Sequence, residues 1–180
     1  MSFEPLLIAT QATGSIPPLE RWHPALSGRM DLTIRADGHW IHDGTPMRRA
    51  SLVRLLSTLL RREADGEHYL ISPVEKWQIA VEDCAFVIVD AERDGDSWWL
   101  TTNVGDRLAL GEEQRLTVTA TPDGTPVPQV TVRFGLAARL GRNVFYRLVE
   151  EGESRVIDGR EQLGLVSAGH WQPLGELEAM

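Results

Sequence analysis

A chain of 180 residues with 42% hydrophobic and 24% charged side chains has the composition of an ordinary globular protein, one domain or two small ones, and not of a disordered segment. Its net charge of −8, with basic residues scattered among acidic ones, argues against the phosphate-neutralising surface that duplex nucleic acid demands, but leaves room for a small anion in a local basic pocket. No apolar run is long enough to span a bilayer as a helix.

The beginning, Met1-Ser2-Phe3-Glu4-Pro5, lacks the basic start and apolar stretch of a signal peptide, and the single cysteine, Cys84, allows no internal disulfide. Both features predict a cytoplasmic location. With Glu82 and Asp83 beside it, Cys84 reads as structural. Residues 1–27, rich in Pro, Gly, Ser and Thr, predict an irregular arm that packs through Trp22. Leu32 and Ile34, then Asp37-Gly38, then Trp40 and His42, predict a hairpin. Leu52, Leu55, Leu56, Leu59 and Leu60 fall at helical spacing and predict a helix over 49–62, with Thr45-Pro46 as its capping signal and Asp65-Gly66 as its stop. Strands are predicted at 69–72 and 77–81, separated by Pro73.

The second half starts at 85–90 with an apolar run suited to a buried strand, followed by a charged turn and a strand at 98–102. Strands at 116–121 and 130–134 flank Asp123-Gly124. The segment 135–141 reads as a glycine-flanked junction. A second helix is predicted over 142–150, with Val144, Phe145, Leu148 and Val149 inward and Gly152 ending it. The tail returns through 163–166.

Two phrases recur. Leu70-Ile71-Ser72, a spacer and Trp77-Gln78 are echoed by Leu165-Val166-Ser167, a spacer and Trp171-Gln172. Leu32-Thr33-Ile34 running into Asp37-Gly38 is echoed by Leu116-Thr117-Val118 running into Asp123-Gly124. The fold class that follows is α+β: two tightly packed lobes built from a duplicated strand–helix–strand motif, with a ligand cleft expected between them. The expected divisions are the arm 1–27, an N-terminal αβ lobe over 28–83 and a β-rich C-terminal lobe over 84–180.

The run Gly44-Thr45-Pro46-Met47-Arg48-Arg49, then Leu52-Val53-Arg54-Leu55, Ser72-Pro73-Val74-Glu75-Lys76-Trp77 and Thr101-Thr102-Asn103-Val104-Gly105-Asp106, resembles the signature of DUF 1285, a bacterial family of unknown function. The resemblance spans residues 28–174. It implies a duplicated αβ core, a C-terminal lobe loosely like pleckstrin-homology folds, and a ligand site between the lobes suited to a nucleotide-like molecule in signalling. It implies no established enzymatic activity.

The residues themselves offer several anchors for such a ligand. Arg48 and Arg49 stand at a predicted helix start, where guanidinium forks, backbone amides and the helix dipole all favour an anion. Arg54, Thr58 and Arg61 would share a polar helix face, which for Arg61 and Arg62 reads as plain solvated charge. Glu75, Lys76 and Trp77 could read a base edge, a phosphate and a base face. Trp77 is repeated as Trp171 and so reads more as architecture than as a ligand contact, whereas Glu75 and Lys76 have no counterpart. Thr102 and Asn103 close a strand end, either as ligand contacts or as a side-chain-stabilised turn. Arg133 completes the set.

His23, His39, His42, His68 and His170 show no metal-ligand spacing, and no phosphate loop, nucleophile elbow or singled-out carboxylate pair is present. The expected function is therefore ligand binding or regulation without catalysis and without a cofactor. The alternative is a protein-interaction domain, for which the six tryptophans could supply an exposed patch. An enzyme acting on a nucleotide or phosphoester ranks below both.

Overall fold

The computed structural model describes residues 3, 4, 6, 7 and 16–177. Part of the predicted arm and the last three residues of the tail therefore lie outside the described residues. By its contacts the chain divides into two units, Met1–Ala85 with Arg133–Leu136, and Phe86–Val132 with Ala137–Met180.

In the first unit the alternation of Met30, Leu32 and Ile34 does what a half-buried strand requires: all three are buried while their neighbours are not. They lie on β1 (Gly28–Ile34), which pairs antiparallel with β2 (Trp40–His42) across the Asp37-Gly38 turn. That turn is closed by the His39 amide donating to Asp37 Oδ1 at 3.0 Å, with Gly38 at φ 91° where a side chain would be strained. β3 (Thr45–Pro46), β4 (Leu60–Arg62), β5 (His68–Ile71) and β6 (Lys76–Val81) complete a six-stranded sheet in the order β3-β2-β1-β6-β5-β4. A short 3-10 turn, Leu19–Arg21, precedes the sheet.

Helix α1 spans Ala50–Ser57, shorter than the leucine spacing predicts. Ser57 and Thr58 turn their hydroxyls back onto the Arg54 and Leu55 carbonyls, at 2.6 Å each. This local bonding competes with the next helical turn, and the chain leaves for β4 instead. Leu59 and Leu60 are buried, but Leu60 sits opposite Leu70 in a strand ladder, not on the helix stripe. Arg61 is consequently a strand residue and shares no helix face with Arg54 and Thr58. Thr45 and Pro46, expected to cap the helix, belong to β3, and the capping position is Arg49.

The second unit contains β7 (Phe86–Asp94), β8 (Ser97–Thr102), β9 (Arg107–Ala109), β10 (Thr117–Ala120), β11 (Pro126–Arg133) and β12 (Leu136–Leu140), ordered β10-β11-β12-β7-β8-β9. The turn between β11 and β12, residues 133–136, groups with the first unit. The run Leu136-Ala137-Ala138-Arg139-Leu140, expected as a junction, is a strand buried at every position. Arg139 is accommodated there because its guanidinium donates to the Thr119, Ala120 and Val127 carbonyls and to Thr119 Oγ1. A strand buried on both faces carries no polar alternation, which is why it is invisible to a period-two search.

Helix α2 (Arg142–Glu151) follows with Gly152 after it, as the sequence predicts; of the four residues expected inward, Val144 and Leu148 are buried while Phe145 and Val149 are half-buried. Space is tight at Gly152, where a Cβ would lie 3.1 Å from Leu163 and 3.2 Å from the Gly164 carbonyl. β13 (Glu153–Ile157), β14 (Arg160–Ser167) and β15 (His170–Glu176) then form a separate antiparallel sheet.

Counted from the first strand of each, the two six-stranded sheets have the same order. Each consists of two three-stranded meanders joined by a parallel pairing of its first and last strands, β1 with β6 and β7 with β12. The repeated sequence phrases fall elsewhere. One lies on the hairpins β5–β6 and β14–β15, the latter outside both six-stranded sheets, and the other on β1 and at β10, which are not equivalent places in those two sheets. The helices differ too, α1 lying between β3 and β4 and α2 after β12. The class is α+β, dominated by strands.

Candidate functional site

In the first unit, β4, β5 and β6 bring Arg61, Tyr69 and Lys76 around Glu63. Lys76 Nζ donates to Glu63 Oε1 at 2.9 Å and Arg61 Nη2 to Oε2 at 2.5 Å. Side-chain exposures of 19%, 14% and 23% for Lys76, Arg61 and Glu63 make this a shielded triad, unlike the surface ion pairs of the chain. Arg61 also donates through Nη1 to the Leu19 and Trp22 carbonyls, at 2.9 Å each, and so fastens the segment before β1. Lys76 Nζ lies 4.7 Å from the centre of the Tyr69 ring. The Tyr69 hydroxyl donates to Asp65 Oδ2 at 2.5 Å, a bond that pushes Tyr69 up to about 12 and lowers Asp65. Burial raises the Glu63 carboxyl, but hydrogen bonds from Lys76 and Arg61 and the attraction of both charges outweigh it and hold it below its usual range.

His68, at the start of β5, is lowered to about 4, chiefly by burial and secondarily by the Arg62 guanidinium, with Glu67 opposing. A base with a depressed pKa in the folded state is protonated first in the unfolded state. The stability that neutral His68 preserves is therefore intact above the ordinary histidine range near 6.5 and lost progressively as pH falls to about 4. Partial screening by solvent at this half-buried position limits the expected loss to about 1–2 kcal/mol. Chemical denaturation of wild type and His68→Gln across that window should show their stability gap narrowing or reversing; a gap independent of pH would contradict it.

The other predicted residues of this unit divide into committed and uncommitted groups. Trp77 Nε1 donates to Glu75 Oε2 at 3.4 Å, and the indole packs over Gly28, where a Cβ would come within 3.1 Å. Ser72 Oγ accepts the Val74 and Glu75 amides and shapes the β5–β6 turn. Arg133 Nη1 donates to the Ser57 carbonyl at 3.0 Å, receiving the end of α1. Arg48 and Arg49, together with Arg54, are exposed and make no ion pair among the described residues. Arg49 occupies the capping position of α1 without a side-chain cap bond. At the slip in the β1–β6 ladder between Arg29 and Thr33 lies a recess of about 370 Å³, lined by Arg29, Met30, Asp31, Leu32, Thr33 and Ala80.

Thr102 and Asn103 belong to the second unit. Thr102 Oγ1 bonds to the Asp106 carboxylate and accepts the Asp106 amide. Asn103 exchanges two bonds with Val87: its amide donates to the Val87 carbonyl at 2.8 Å and its Oδ1 accepts the Val87 amide at 3.0 Å. The pair thus builds a side-chain-stabilised turn at the end of β8. Trp98 is buried and Trp99 lies under the Arg107 guanidinium, 4.5 Å from its ring centre, so the two tryptophans form no open patch. Cys84 is buried and forms no disulfide, and no group of three or more potential metal ligands is present among the described residues.

Glu63 and Asp65 escape the sequence reading because their partners become neighbours only once 60–62 is a strand. The alternation of Arg61 and Glu63 was the available signal.

The description "Domain of unknown function (DUF1285), N-terminal domain" matches residues 17–84, and "Protein of unknown function (DUF1285), C-terminal domain" matches residues 85–174. The chain belongs to the DUF1285 family. A crystal structure of a DUF1285 family protein from Silicibacter pomeroyi is similar, with 38% identity over 96% of this chain and 95% of that one, at a TM-score of 0.83. A DUF1285 protein from Shewanella baltica is similar at 29% identity, covering 67% of this chain and 91% of that one, at a TM-score of 0.54. A comparison with curated proteins finds no match.

Proposed function

We propose that this DUF1285 protein is a cytoplasmic binding protein with a regulatory role, which takes a small anionic, nucleotide-like ligand on the arginines at the start of α1 and catalyses no reaction on it. The observation that carries this reading is the contrast between the chain's net charge of −8 and two exposed arginines at the helix start, Arg48 and Arg49, with Arg54 in the last turn of the same helix, none of which has a carboxylate partner among the described residues. Most cations nearby are already engaged, Arg61 and Lys76 with Glu63 and Arg133 with Ser57. Guanidinium groups present paired donors that match phosphate or carboxylate oxygens, and the first turn of a helix adds amides and a favourable dipole. Binding would neutralise this end of the unit and change the surface it offers to a downstream partner, which suits a role in signalling.

The common order of the two six-stranded sheets supports descent from one duplicated unit, although the sequence phrases do not mark it. The reading of the second unit as loosely like pleckstrin-homology folds is supported only by its meanders of antiparallel strands with a single helix; the parallel β7–β12 pair and the three strands after α2 count against it.

A second reading, a protein-interaction domain, is favoured by β13, which stands at the edge of its sheet with Val156 74% exposed. An open strand edge is a common docking place for an extended peptide.

Native mass spectrometry of the protein purified from its own cells separates the two. The anion reading expects a discrete added mass that disappears in Arg49→Ala and in Arg48→Ala but persists in Arg142→Ala, an exposed arginine on α2. A bare mass in wild type, with a protein partner retained instead, would favour the second.

A further inference from the structure

In the second unit two cross-strand pairs face one recess. Arg93 sits opposite Trp98 in the β7–β8 ladder, and Glu153 sits opposite Gly164 in the β13–β14 ladder. All four line a cavity of about 240 Å³, together with Glu151 at the end of α2. The two ladders are held together by Ser167 Oγ, which accepts the Trp98 amide at 2.7 Å and donates to the Leu110 carbonyl at 2.7 Å. β14 slips in register against β15 between Leu163 and Gly164, and such bulges bend a strand and re-aim what it carries. Gly164 also leaves the wall without a side chain at that point.

Of the three charged residues around this recess, Arg93 and Glu151 are unmatched. Glu153 is paired with Arg155 at 3.1 Å, and that guanidinium lies 4.8 Å from the Trp171 ring centre. Arg93 gives only its Nε, to the Gly95 carbonyl at 3.3 Å, leaving its terminal amino groups uncommitted. Neither Arg93 nor Glu151 makes an ion pair among the described residues, although both line the same cavity. Glu151 ends a helix, where the dipole adds to the attraction for a cation. An indole lies beside the arginine, and apolar Leu165 and Val166 continue the wall.

We propose that this recess binds a small zwitterion, a free α-amino acid, with its carboxylate on Arg93, its ammonium on Glu151 and its apolar side chain against Trp98. At a water's share of liquid volume the cavity holds about eight non-hydrogen atoms, the size of a short aliphatic amino acid. The site is independent of the arginines on α1 and of the function proposed for them.

The test is calorimetry and indole N–H chemical shifts on the full chain, titrated with L-valine, L-leucine, L-methionine and the half-molecules isobutylamine and 3-methylbutanoate. At least one amino acid is expected to bind about tenfold or more tighter than either half-molecule and to shift the indole signal that is lost in Trp98→Phe. Arg93→Gln should reduce that amino acid to the affinity of the amine while leaving isobutylamine unchanged, and Glu151→Gln should do the converse with 3-methylbutanoate. Both substituted residues are exposed, so neither variant disturbs a core. The proposal is overturned if none of the three amino acids binds at millimolar concentration, if a half-molecule binds as well as its amino acid, or if binding survives both substitutions.

Discussion

Glu63→Gln is expected to cost about 2–3 kcal/mol of stability, the cost of leaving shielded cations without their anion. The carboxylate holds both Arg61 and Lys76, and neither side chain is more than 19% exposed. Arg61 cannot swing out to water without releasing the Leu19 and Trp22 carbonyls, and its Nε is already buried without a partner. A glutamine keeps the shape and one acceptor but not the charge, so two cations would face each other across a neutral amide. The surface pair Arg107–Glu92, 47% and 60% exposed, provides the reference: Glu92→Gln should change stability by about 0.5 kcal/mol or less. Urea denaturation measures both. Because the Glu63 carboxyl is held below its ordinary value of 4.5, its contribution is present above that pH and lost as pH falls through the lowered folded-state value. The penalty of the substitution should fade in the same direction. Equal costs for Glu63→Gln and Glu92→Gln would refute the triad's role.

Gly164→Ala is expected to be the most damaging single methyl in the second unit. A Cβ at that position would lie 2.5 Å from the Gln172 carbonyl oxygen, 2.5 Å from Trp171 Cζ2 and 2.8 Å from Cε2, all inside van der Waals contact. The backbone oxygen belongs to the paired strand β15 and cannot retreat without opening the ladder. Nor is the indole free to move, since its Nε1 donates to Gln162 Oε1 at 3.2 Å and Arg155 covers the ring. Overpacking that forces both to shift should cost about 3 kcal/mol or more, enough to lower the yield of folded protein. Gly175→Ala, where nothing lies within 4 Å, should be close to neutral. Relief of part of the cost by a second change, Trp171→Leu, would locate the strain in the ring; thermal melting of Gly164→Ala unchanged from wild type would contradict the packing described.

Much of this architecture was legible because its signals are local. The Asp37-Gly38 hairpin, the strands around it and the second helix with its Gly152 stop follow from turn chemistry and periodicity within a dozen residues. The leucine run misled because Leu59 and Leu60 satisfy helical spacing and strand burial alike, and the deciding signal was two hydroxyls, Ser57 and Thr58, that bond backward. β12 was missed because it is buried on both faces and carries an arginine that reads as surface. The repeated phrases do not coincide with the order that the two six-stranded sheets share. Strand order is set by pairing across the sheet, which a phrase of eight residues does not encode, so the shared order of the sheets and the shared phrases fall on different strands.

For the site, Arg48 and Arg49 are as open as a helix-start reading predicts. Lys76, by contrast, lacked a counterpart in the second phrase for an internal reason. It answers Glu63, thirteen residues away, through a strand pairing that composition does not show. Trp77 and Trp171 share an architectural feature, each packing against a glycine of the neighbouring strand, Gly28 and Gly164.

The most direct measurement of the central claim is a calorimetric titration of the full chain with a panel of mono-, cyclic and dinucleotides, repeated on Arg48→Ala and Arg49→Ala. The account predicts saturable binding of at least one nucleotide, weakened about tenfold or more by either substitution while the melting temperature stays unchanged. No binding to wild type across the panel, or binding indifferent to both arginines, would contradict it.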